Sequence, residues 1–144
     1  MTSPITYRSR FVAKEYNNGD AQGLFAGTPP LEALRYIIGK AATHSGDEKV
    51  VMVNDIARAF FEARIKREVC VEIPDEDKTE ADKQRDVVGV LNMSLYGTRD
   101  AARNWQEEVA RMMKIWGFTP GAYNPCLYYH RNGEPSRWCT ATTS

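Results

Sequence analysis

No run of apolar residues in this 144-residue sequence approaches the roughly 20 that a bilayer-spanning helix needs. The opening Met1-Thr2-Ser3-Pro4-Ile5-Thr6-Tyr7-Arg8 also lacks the apolar centre of a secretory leader. The expected setting is therefore intracellular, in cytoplasm or nucleus. Cysteine is scarce and odd in number: Cys70, Cys126 and Cys139 are far apart, and neither His44 nor His130 stands at zinc-finger spacing from them. That gives little support to a disulfide framework or a structural zinc, and leaves reduced thiols as the expectation. There is no internal repeat and no inter-domain linker. A net charge is missing too, since 19 basic side chains balance 19 acidic ones. The balance is uneven along the chain, however. Residues 75–86 hold six acidic against three basic side chains, so the remainder carries 16 basic against 13 acidic, a net +3 compatible with a local phosphate-binding groove.

What is present is a chain of one-domain length with 42% apolar residues, enough for a core. The stretch that organises it is Val50-Val51-Met52-Val53-Asn54-Asp55. Four apolar residues, three of them β-branched, predict a strand buried on both faces, which places Asp55 at its C-terminal mouth, where metal ligands and catalytic groups are commonly set. Ile56, Ala59, Phe60 and Ala63 then follow a near-helical spacing, and the chain is expected to turn over the sheet.

In chain order, Tyr7 to Tyr16 predicts a strand with Arg8, Arg10 and Lys14 on one face. Two readings stay open for that face: a solvated edge that resists aggregation, or a basic finger for phosphates. Thr28-Pro29-Pro30 opens a helix with Leu31, Leu34, Ile37, Ile38 and Ala41 on one side, ended by Ser45-Gly46. Val69, Val71 and Ile73 predict a short strand closed by Pro74, and residues 75–86 an exposed loop whose carboxylates nothing makes converge. Val87 to Leu91 reads as a buried strand and Asp100 to Trp116 as a helix. The recurrence of Trp105, Val109, Met112, Met113 and Trp116 marks that helix's core side, and Gly117 its end. Cys126 to His130 predicts a last strand before an Asn132-Gly133 turn. The expected class is α+β, a mixed, mostly antiparallel sheet with two main helices packed on it.

Four blocks carry a resemblance. They are Tyr7-Arg8-Ser9-Arg10-Phe11-Val12-Ala13-Lys14; Asn54-Asp55-Ile56-Ala57-Arg58-Ala59-Phe60; Ser94-Leu95-Tyr96-Gly97 with Thr98-Arg99-Asp100-Ala101-Ala102-Arg103-Asn104-Trp105; and Gly117-Phe118 through Asn124-Pro125-Cys126-Leu127-Tyr128-Tyr129. In order and spacing they resemble the reverse transcriptase domain of copia-type LTR retrotransposon polyproteins. The resemblance implies a fingers-and-palm fragment of an RNA-directed DNA polymerase that transfers nucleotides with two magnesium ions. Asp55 matches the first catalytic, metal-binding aspartate of the palm. Phe60 matches the aromatic gate that rejects a 2′-hydroxyl, although Phe61 stands beside it. Tyr96 and Gly97 match the segment against incoming nucleotide and template, and Arg10 and Lys14 the fingers' triphosphate contacts. The partners implied are primer-template, deoxynucleoside triphosphates and the other polyprotein domains, integrase and RNase H.

The sequence also departs from that family. Ala57-Arg58 replaces a usual lysine-asparagine pair, and Glu15 stands where a glycine is usual. The paired aspartate expected after the Tyr128-Tyr129 strand is absent, as no two aspartates are adjacent anywhere in the chain. Instead it closes Arg137-Trp138-Cys139-Thr140-Ala141-Thr142-Thr143-Ser144, a tail whose codons, read two bases into that of Arg137, permit a Gly-Asp-Asp hairpin. The expectation is one partial domain without the paired-aspartate hairpin, thumb or RNase H, inactive as it stands. The alternative is a non-catalytic nucleic-acid-binding remnant or co-opted module.

Overall fold

The computed structural model describes residues 10–16, 19, 24, 26–43, 51–52, 56–130 and 138–140. Its elements are α1 (Leu31–Ala42), a 3-10 turn (Ala59–Glu62), β1 (Cys70–Glu72), α2 (Glu80–Lys83), β2 (Val88–Val90), α3 (Ala101–Ile115), β3 (Phe118–Pro120), β4 (Leu127–His130) and β5 (Trp138–Thr140). The class is α+β, but the described strands form two separate antiparallel sheets, β1-β2 and β3-β4-β5, in place of the single sheet expected.

The core gathers around α3. Trp105, Val109 and Met113, spaced by four, line its buried side and meet Ala59 and Ala63 from the 3-10 turn and Tyr128 from the centre of β4. Trp116 departs from the expected stripe. It stands at the helix end with 63% of its surface exposed, beyond the reach of the elements that cover Trp105. Gly117 then takes φ +79 and reverses the chain, and a Cβ there would lie 2.7 Å from the His130 imidazole, so only glycine closes the helix this tightly. The reversal lays β3 along β4, with Phe118 opposite His130 and their rings edge-to-face at 5.2 Å. β3 was not expected from the sequence, because Pro120-Gly121 reads as loop.

The β1-β2 ribbon pairs Cys70 with Val90 and Glu72 with Val88. These four residues share the open face, so Val88 and Val90 are exposed where a buried strand was expected. The pairing runs on past the ribbon through Leu91 N–H to the Val69 carbonyl (2.9 Å), the Arg64–Met93 bridge, and Ser94 N–H to the Ala63 carbonyl (2.8 Å). This brings the turn beginning at Ser94 up against the 3-10 turn.

Residues 75–86 are not a plain loop. Thr79 and Asp82 form a reciprocal capping box that starts α2, with Thr79 Oγ1 accepting from Asp82 N–H at 3.2 Å and Asp82 Oδ2 from Thr79 N–H at 3.1 Å. Lys78 pairs with Asp75 and Lys83 with Glu80, so the acids are dispersed among local partners. α1 lies against β5, but none of its residues is buried, and Leu31, Leu34 and Ile38 of the expected packing face are exposed. It ends at Thr43, whose N–H and Oγ1 both donate to the Gly39 carbonyl, before Ser45-Gly46, which lie outside the described residues. Of the expected central strand, Val51 and Met52 are irregular and exposed, Met52 at 77%, which contradicts burial on both faces. Val50, Val53, Asn54 and Asp55 lie outside the described residues, as do Arg8 and the Asn132-Gly133 turn.

Candidate nucleotide-binding face

Segment 10–16 follows no regular ladder, yet its exposure alternates from Val12 to Tyr16, with Ala13 and Glu15 inward and Val12, Lys14 and Tyr16 outward. One backbone bond docks it: Ala13 N–H donates to the Tyr96 carbonyl at 2.8 Å. The next residue makes the docking possible. Gly97 has φ +88, and a Cβ on it would collide with the Ala13 carbonyl oxygen and lie 2.8 Å from Val12 Cγ1. The backbones cross at a distance that only glycine admits.

The Tyr96 ring is held from its other side. Phe60 meets it tilted at 4.7 Å between centroids, and Phe61 edge-on at 5.8 Å, both within favourable aromatic range. Phe60 also packs on the core, while Phe61 is the more exposed of the two. Arg58, just before the turn, holds φ +59, a left-handed backbone that a side chain such as arginine adopts only at a cost.

Beneath the crossing runs a polar network. Glu15 Oε2 accepts from Arg67 Nη2 at 2.6 Å and from Arg99 N–H at 2.8 Å. Arg67 Nη2 also donates to Asp100 Oδ1 at 3.0 Å, and Asp100 Oδ2 accepts from Asn104 Nδ2, which donates as well to Ser94 Oγ at 3.1 Å. Ser94, Asp100 and Asn104 are buried. Burial alone would raise the Glu15 and Asp100 carboxyls. The hydrogen bonds from Arg67, joined by the Arg99 amide at Glu15 and by Asn104 at Asp100, carry both below their ordinary values. The same bonds, first from Asp100 and then from Glu15, hold the Arg67 guanidinium firmly charged.

Three of the four sequence blocks thus meet at one crossing. A family model described as "Reverse transcriptase (RNA-dependent DNA polymerase)" matches residues 2–139. The chain belongs to the reverse transcriptase family. It is 29% identical over 133 residues to the retrovirus-related Pol polyprotein from transposon TNT 1-94 of Nicotiana tabacum, an alignment covering 90% of this chain and 10% of that protein. The chain thus spans about a tenth of that relative's length and is a copia-type reverse transcriptase sequence, as its motifs implied. No solved structure matches it.

Of the residues expected from the sequence to form the site, Tyr96, Gly97 and Phe60 are in mutual reach or share neighbours, and Arg10 and Lys14 belong to the segment crossing above them. Both cations are exposed and form no ion pair or hydrogen bond among the described residues. Asp55 lies outside the described residues. Among the described residues no group of three or more His, Cys, Asp or Glu side chains could hold a metal ion, and no helix is long and apolar enough to cross a membrane. Sequence reasoning missed Arg67 and Asp100. Glu15 drew notice only as a residue in a glycine's place, and nothing in its spacing from the other two signals a pair.

Proposed function

We propose that this chain is the fingers-and-palm portion of an RNA-directed DNA polymerase, and that its crossing of segment 10–16 over Tyr96-Gly97 is where primer-template and deoxynucleoside triphosphate bind. The observation that carries this reading is the Gly97 approach. Close backbone contact at a surface turn, under a segment whose two cations form no ion pair or hydrogen bond among the described residues, suits a site shaped to take a flat base beside a phosphate chain. Arg10 and Lys14 would meet the phosphates, Tyr96 the base or template, and Phe60 the sugar. Asp55 is the proposed catalytic residue and magnesium ligand; among the described residues no group of three or more His, Cys, Asp or Glu side chains could hold a metal ion. The chain's own described side chains bind and orient the ligands in this reading.

The test is binding of oligo-dT annealed to poly-rA. Affinity should be weak and should fall steeply with added salt, and Arg10→Ala should weaken it and reduce the salt slope by about one. Binding that ignores salt, or is unchanged in Arg10→Ala, would contradict the reading. A second reading, a non-catalytic nucleic-acid-binding module, is favoured by the lack of any adjacent aspartates. Appending a Gly-Asp-Asp hairpin separates the two, since only the polymerase reading expects primer extension to appear and to vanish again in Asp55→Asn.

A further inference from the structure

We propose that Glu15 is a positioning residue, which together with Arg67 and Asp100 holds the Arg10–Lys14 segment in place over the Tyr96-Gly97 turn. The inference rests on the binding role given to that segment above. Its basis is the placement of two anchors on the inward side of the segment, two residues apart: the Ala13 N–H to Tyr96 carbonyl bond and the Glu15 carboxylate. Lys14 lies between them and is thereby kept outward.

A single backbone bond at 2.8 Å would leave the segment free to pivot. Glu15 removes that freedom because one of its oxygens accepts from two different parts of the palm-side structure, the Arg67 side chain and the Arg99 backbone. Arg67 in turn bonds Asp100, and Asp100 is fixed by Asn104 and, through it, by Ser94. Ser94 is the residue whose N–H is held by the Ala63 carbonyl, so the line of bonds returns to the turn that carries Phe60. The clamp joins all three parts of the face. Charge-assisted bonds of this kind, partly shielded from water, preorganise a binding surface because the segment need not be ordered when ligand arrives.

The clamp makes a prediction opposite in sign to simple electrostatics. Removing a negative charge near an anion site should by Coulomb's law tighten anion binding. If Glu15 positions the cations, its loss should weaken it. The experiment compares the 144-residue chain with Glu15→Gln and Glu15→Gly, using inorganic triphosphate as probe and amide hydrogen exchange as a second readout. Exchange at Ala13 should speed up about tenfold in both variants, as expected for loss of a charge-assisted bond. The amides of Val109 and Met113 should keep their protection, which shows local opening and not unfolding. Triphosphate affinity should fall about three- to tenfold. Arg67→Lys, which retains the cation, should recover more Ala13 protection than Arg67→Ala. An unchanged Ala13 rate, parallel acceleration at Val109 and Met113, or an unchanged or raised triphosphate affinity would overturn the proposal. Failure of the unmodified chain to bind triphosphate would overturn the binding role itself, while the exchange rates would still decide whether Glu15 holds the segment.

Discussion

At the scale of single residues, Arg58 carries a backbone cost that another side chain would reduce. Its φ of +59 is a conformation in which a β-carbon crowds the following carbonyl, and asparagine tolerates it better because its short side chain bonds locally. Arg58→Asn should therefore stabilise the chain by about 1 kcal/mol, a rise in thermal midpoint on the order of 4 °C. A lower midpoint would show that the Arg58 side chain contributes more than its backbone costs. Glu15 and Asp100 give the chain an acid sensitivity whose direction follows from their lowered values. The ordinary values are 4.5 for Glu15 and 3.8 for Asp100, and the folded ones lie below these. Their contribution is complete above those ordinary values and is lost as pH falls through the folded ones. The groups that hold them are Arg67, the Arg99 amide and Asn104, none of which changes charge in that range, while Asp100 opposes Glu15 as a nearby like charge. Glu15→Gln should therefore flatten the decline in urea midpoint between about pH 6 and pH 3. A decline as steep as the parent's would mean that other carboxylates carry the effect. The Glu15–Arg67–Asp100 cluster was not legible in the sequence for a physical reason. Its members lie 52 and 33 positions apart, and a lone charge has no period that marks its partner.

At the scale of elements, α3 separates what periodicity reveals from what it cannot. The spacing of Trp105, Val109 and Met113 marks the buried side because each has a neighbour across it, in Ala59, Ala63 or Tyr128. Trp116 continues the same spacing but is 63% exposed, with no element above it among the described residues, as Gly117 has already turned the chain away. Trp105→Ala should therefore cost about 3–5 kcal/mol, whereas Trp116→Ala should stay within about 0.5 kcal/mol of the parent. Equal costs at the two tryptophans, measured by denaturant unfolding, would contradict this account of the core. α2 is the opposite case. Its capping box, Thr79 with Asp82, was present in the sequence as a helix-start signal, but the density of acids around it favoured a loop reading. Both strands of the β1-β2 ribbon stand where the sequence places them, but they form a sheet of their own with exposed valines, since apolar composition does not say whether a second layer covers a strand.

At the scale of the molecule, the order of the four blocks marks the family, because each block is short but their sequence is specific. What the blocks could not give is which of them touch. The folded chain brings Arg10 to Lys14, Phe60 and Tyr96-Gly97 together by crossing one backbone over another at a glycine, and fastens the crossing with an ion cluster drawn from outside the family's site. The central claim is that this crossing is the face that meets nucleic acid and nucleotide. The most direct measurement is a titration of the isotope-labelled chain with oligo-dT annealed to poly-rA, following backbone amide signals one by one. The account predicts that the signals of Arg10, Lys14, Phe60, Tyr96 and Gly97 move together and saturate at one ligand concentration, while those of α2 stay still. Movement confined to α2 and its neighbouring acidic residues, or to the far end of α3 at Trp116, with the crossing unaffected, would contradict it.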